Sequence, residues 1–190
     1  MTISQRARLS VMMMMLVLVA APPGFAETVK KPAAPKHPSA TIPAQRIGGV
    51  GAWNAYLYKG KSGKVCYLGG APQKSEPAKF KHKPPSATVT HRPDENVFNV
   101  VSFDEGYLLK DGSAASLDVD GTHFDLFTKG DSAWSRTSDL DKAIVEAMAK
   151  GKQAVVKGTS QKGPLTTETY SLAGFTQTLA LIDKACGARR

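Results

Sequence analysis

The chain has 190 residues, with 25 Lys and Arg against 16 Asp and Glu, for a formal net charge of +9. That length is enough for one ordinary domain with a real core. A basic surplus of this size serves solubility first and favours anionic surfaces, but it gives no ground for a nucleic-acid binder, and none is expected.

The first 26 residues carry the most information. Arg6 and Arg8 precede an apolar run from Val11 to Ala21, which ends in Pro22-Pro23-Gly24-Phe25-Ala26. This is the layout of a secretory signal peptide, with small residues Gly24 and Ala26 where a signal peptidase reads, so cleavage is expected before Glu27. The run is shorter than the roughly 20 residues a membrane span needs, and no transmembrane segment is expected in the mature chain. The alternative is an uncleaved N-terminal anchor. Cleavage removes Arg6 and Arg8 and no acid, leaving a charge of +7.

Residues 27–46 are rich in proline, alanine and lysine and poor in large apolar side chains, the composition of a disordered leader. The folded domain is expected over 47–190. It holds both cysteines of the chain, Cys66 and Cys186. In an oxidising compartment such a pair is expected to form one long-range disulfide joining an early strand to the C-terminal helix. Two separate buried thiols are the alternative. No Cys-x-x-Cys spacing points to redox catalysis.

In chain order, Trp53 to Tyr58 and Lys64 to Leu68 read as a strand pair around Gly60-Lys61-Ser62-Gly63. A lysine- and proline-rich connection runs from Pro72 to Pro85. Strands are then expected at Ala87 to His91, Val97 to Phe103, Gly106 to Leu109, Ala115 to Val119 and His123 to Phe127. Asp120-Gly121 marks a tight turn between the last two. A helix capped by Ser138 or Asp139 carries Leu140, Ile144, Val145 and Met148 on one stripe and ends at Gly151. Two more strands follow, Gln153 to Gly158 and Leu165 to Tyr170. A second helix, starting at Ser171, turns Phe175, Leu179, Ile182 and Cys186 inward before Gly187.

Little in the chain carries chemistry. His37, His82, His91 and His123 lack metal-ligand spacing, so no metal and no cofactor are expected. Asp104 with Glu105, and Asp118 with Asp120, read as solvent-facing turn residues rather than catalytic pairs. No Gly-x-Ser-x-Gly elbow or phosphate-cradling loop occurs, and no catalytic residue is assigned. A hydrolase acting on an envelope polymer would require His91, His123 and an acid to converge in a cleft. Lys74, Lys79, Lys81 and Lys83 form the best candidate binding cluster, suited to acidic lipids, glycans or a protein. A solvated loop without a partner is the plainer reading. Trp53, Trp134, Tyr56, Tyr58 and Phe127 offer a recognition patch or, more simply, core filling.

Several blocks together resemble a known family: Trp53, Val65-Cys66-Tyr67, LFTKGDSAW over 126–134, VVKGTS over 155–160, TYSLAGF over 169–175 and IDKAC over 182–186. They are similar to the invasion-associated locus B proteins across roughly residues 50 to 187. The resemblance implies a mainly β, immunoglobulin-like β-sandwich with two short peripheral helices. It also implies a secreted or periplasmic location in an alphaproteobacterium. Cys66 and Cys186 match the family's cysteines at the second strand and terminal helix. Longer relatives carry a further cysteine where this chain has Tyr56-Leu57-Tyr58. The function implied is that of a non-enzymatic interaction protein of the cell envelope, linked to host association. Its partner would be an envelope or host protein, lipid or glycan of unknown identity. An envelope-stress or structural factor is the alternative.

Overall fold

The computed structural model describes residues 43–78 and 83–189. The expected signal peptide, most of the leader, and Lys79, Lys81 and His82 lie outside the described residues. Among these residues, eleven strands and two α-helices follow in chain order, with a short 3-10 turn at Pro93–Glu95. The strands are β1 (Gln45–Val50), β2 (Trp53–Gly60), β3 (Gly63–Gly70), β4 (Lys74–Glu76), β5 (Ser86–Arg92), β6 (Val97–Asp104), β7 (Ala114–Val119), β8 (Thr122–Lys129), β9 (Ser132–Trp134), β10 (Gln153–Thr159) and β11 (Leu165–Ser171). The helices are α1 (Ser138–Lys150), placed after β9, and α2 (Phe175–Cys186), placed after β11.

All the strands join one hydrogen-bonded ladder in the order β1-β2-β3-β5-β6-β9-β8-β7-β10-β11-β4, every pairing antiparallel. Trp53 on β2 and Tyr170 on β11 lie at opposite ends of that order, yet their ring centroids are 6.4 Å apart. A flat ladder would separate eight strand spacings by roughly 38 Å. The ribbon therefore doubles over, and its two halves meet face to face. This is the β-sandwich with two helices that the sequence implied.

Alternation sets which side chains meet inside. On β2, Trp53 and Ala55 are buried; on β10, Ala154, Val156 and Gly158; on β11, Thr166, Glu168 and Tyr170. Trp53 centres the core, edge-on to Phe175 at 5.0 Å, with its indole N–H donated to the Ser171 carbonyl at 2.9 Å. Helix α1 adds Ile144, Val145 and Met148, and α2 adds Phe175, Leu179 and Ile182. The Cys66–Cys186 disulfide joins β3 to the last turn of α2, with Cα atoms 6.0 Å apart at a sequence separation of 120.

Local signals explain the boundaries. Asp120 (φ 47°) and Gly121 (φ 92°) both take the left-handed conformation that a two-residue hairpin needs, and they join β7 to β8 as the sequence predicted. Thr137, one residue before the expected cap, accepts the Leu140 N–H at 3.1 Å and starts α1. Helix α2 begins four residues later than predicted, because β11 continues through Ser171 and Gly174 (φ 89°) makes the corner.

Three other expectations change. Strand β1 starts at Gln45, inside the segment read as leader, where a glycine-rich edge pairs with β2. Strand β4 lies in the expected connection and docks on β11. Gly106 to Leu109 is not a strand: only the Leu109–Ser160 bridge forms, since Gly106 turns at φ 71° and Leu109 bonds instead to the Gly130 carbonyl.

Candidate functional site

The candidate residues from the sequence fall into separate places. Lys74 on β4 is exposed and pairs with Glu76 at 2.9 Å. Lys83 donates its backbone N–H to the Gly106 carbonyl. The described residues thus hold only two of the four lysines, one of them offset by an adjacent acid.

The histidines sit in unlike settings. His91 is completely buried on β5, where its Nδ1 accepts the Asn99 N–H at 3.0 Å. With Nδ1 accepting, Nε2 carries the proton and donates to Asp183 Oδ1 on α2 at 2.8 Å. That bond ties helix to sheet beside the disulfide, for Cys66 is the ladder partner of His91. His123 stands in the β7–β8 hairpin with its side chain 80% exposed and bonded to Asp118 at 2.7 Å. The two rings bond to different acids, Asp183 and Asp118. Among the described residues, no group of three or more His, Cys, Asp or Glu side chains is arranged to hold a metal ion.

Of the carboxylate pairs, three members keep turns, as expected. Asp104 accepts the Gly106 N–H, Asp118 accepts that of Gly121, and Asp120 takes Lys152 and Gln153 N–H. Glu105 is the correction: it is completely buried, not solvent-facing. Its backbone N–H bonds to the Asp131 carbonyl and the side chain turns inward, where Tyr107 donates to Oε2 at 3.2 Å. Thr166 and Tyr107 are hydrogen-bonded, and buried Glu168 and Tyr170 stand close by. Burial, then the neighbouring charge of Glu168, pushes the Glu105 carboxyl up to about 7. The same burial pushes the Tyr170 phenol upward. The cluster can hold a proton, but both carboxyls are sealed from solvent. The visible signal was the period-2 run Thr166, Glu168, Tyr170, which puts an acid on the core face.

The aromatic residues divide between core and surface. Trp53, Trp134 and Tyr58 are buried, while Arg136 lies over the Phe127 ring at 5.7 Å. Tyr56 and Tyr67 stack across β2 and β3 at 5.0 Å between centroids, with the Tyr58 ring edge-on to Tyr67 at 6.2 Å.

A groove of about 500 Å³ opens at the β2–β3 hairpin end of the domain, and sequence reasoning missed it. Pro43, Gln45, Leu57, Tyr58, Lys59, Lys64 and Asp94 line it. Lys64 spans hairpin and helix: its backbone N–H donates to Asp94 Oδ2 at 2.8 Å and its Nζ to the Ala185 carbonyl at 3.2 Å.

A model described as the Invasion associated locus B (IalB) protein matches residues 53–183. The chain belongs to that family. The match takes in β2 through most of α2, including Trp53, Cys66 and the buried His91–Asp183 pair. Among solved structures, this IalB-family chain is similar to the crystal structure of invasion associated protein B from Bartonella henselae. The TM-score is 0.53 at 17% identity, covering 76% of this chain and 98% of that one, a likeness of fold. No curated protein matches it. No helix among the described residues is long and apolar enough to cross a membrane.

Proposed function

We propose that this IalB-family chain is an exported, non-enzymatic interaction protein of the bacterial envelope, working in association with host cells. The observation that carries the reading is the family match over residues 53–183. Two features support it. The disulfide between β3 and α2 fits an oxidising compartment, as does the signal-like start of the chain. Several titratable side chains are also engaged in structure: His91 ties α2 to β5, Asp120 holds a turn, and Glu105 is sealed inside. A sandwich closed in this way presents loops and a groove as rigid contact surfaces.

The test is made in the parent bacterium. Deleting the gene is expected to lower adhesion to or entry into host cells, and cross-linking intact cells should trap a discrete envelope or host molecule on the protein. Unchanged host association together with cleavage of an envelope polymer by the purified protein would overturn the reading.

A further inference from the structure

The geometry points to the groove at the β2–β3 hairpin as a seat for the anionic headgroup of a phospholipid at a membrane surface. Its lining is divided as such an amphiphile is. Leu57 and Pro43 give an apolar wall, and Lys59 and Lys64 add cationic side chains to the lining, the Lys64 Nζ also donating to the Ala185 carbonyl. The one acid in the lining, Asp94, is already engaged by the Lys64 N–H.

A second observation is independent of charge. Tyr58 lines the same groove, is only 7% exposed, and its hydroxyl has no hydrogen-bond partner among the described residues. A buried hydroxyl normally finds one; this one is itself closed to solvent, so it would meet an incoming phosphate oxygen only when the Tyr58 ring swings toward the groove. Burial pushes the Tyr58 phenol upward, which keeps its proton available for a phosphate oxygen.

The surroundings favour a surface over a free ion. Lys61 at the hairpin tip, Lys184 in the last turn of α2 and Arg189 beyond it are all exposed at the same end. The Lys64–Ala185 bond and the disulfide hold hairpin and helix together there. Arg92 adds a further cation near Tyr58, against Glu95. The large exposed apolar side chains among the described residues, Val50, Leu108 and Leu165, lie outside the hairpin, so the contact is charge-led and salt-sensitive.

The inference deepens the envelope reading and rests on it for where such a membrane is met. It is tested on purified mature protein, so its failure leaves the host-association phenotype standing. Co-sedimentation is measured with phosphatidylglycerol–phosphatidylcholine vesicles, with pure phosphatidylcholine vesicles and with inorganic phosphate as competitor. Binding is expected to the anionic vesicles only and to weaken steeply with salt. The exposed pair Lys59→Glu and Lys61→Glu should lower it about 25-fold or more. Tyr58→Phe, which keeps the ring, should lower it about tenfold. Lys157→Glu, on a different strand, should have a small effect. Equal binding to neutral vesicles, displacement by millimolar phosphate, or full binding by Tyr58→Phe overturns the proposal.

Discussion

Trp53 and Gly70 face each other across β2 and β3, and a methyl group added at Gly70 would stand 2.6 Å from the indole Cε3. The central aromatic of the core therefore rests on bare backbone. Gly70→Ala is expected to push Trp53 out of contact with Phe175 and Ser171, costing about 1–3 kcal/mol. Urea unfolding followed by tryptophan fluorescence measures this, and an unchanged midpoint would contradict the packing.

Cys66 and Cys186 are separated by 120 positions in sequence, which makes the bridge a strong restraint on the unfolded chain. Replacing both with alanine, or reducing the native protein, should lower stability by about 2–5 kcal/mol. The comparison is the denaturant midpoint with and without reductant. Equal midpoints would show that the bond adds nothing.

Glu105 gives the fold a pH dependence with a definite sign. Its carboxyl titrates near 4.5 when unfolded and is pushed up to about 7 when folded, so the folded state holds the proton more tightly. Between those values the unfolded chain binds fewer protons, and stability falls as pH rises. The fall from this group is about 3 kcal/mol, complete above pH 7. Asp141, pushed by burial up to about 6, adds a smaller change of the same sign at lower pH. Urea midpoints from pH 4.5 to 8 should decline, and Glu105→Gln should flatten the upper part of the curve. A midpoint that climbs over this range in the wild type would refute the assignment.

Asp120 performs two tasks in one turn, holding φ at 47° and accepting the Lys152 and Gln153 N–H groups. Asp120→Ala loses both and should cost about 1–3 kcal/mol. Asp120→Gly relaxes the backbone without restoring the acceptor, so it should fall between alanine and wild type. Thermal midpoints of the three proteins separate the two contributions. Glycine as damaging as alanine would show that backbone strain is unimportant there.

What could be read beforehand was local. Asp120-Gly121 marked its hairpin, Ile144, Val145 and Met148 their helical stripe, and Cys66 with Cys186 their pairing, because each signal spans a few residues or one redox rule. What escaped needed a partner distant in sequence. Lys74–Glu76 becomes a strand only because β11 offers an edge, and Glu105 turns inward only because Asp131 captures its backbone. The groove was hidden for the same reason. Lys59 and Lys64 are plain in the sequence, but Pro43, Leu57, Tyr58 and Asp94 meet them only after the sheet has formed. The close spacing of Lys74, Lys79, Lys81 and Lys83 is the stronger signal in the sequence alone.

The position of the bridge also fixes an order of events. One sulfur belongs to an early hairpin and the other to the final helix, so an oxidant arriving midway through synthesis or translocation finds only half of its substrate. In a chain made from its N-terminus, Cys66 has no partner until α2 has followed it. Covalent closure therefore waits for α2, and it marks only molecules in which hairpin and helix are both present.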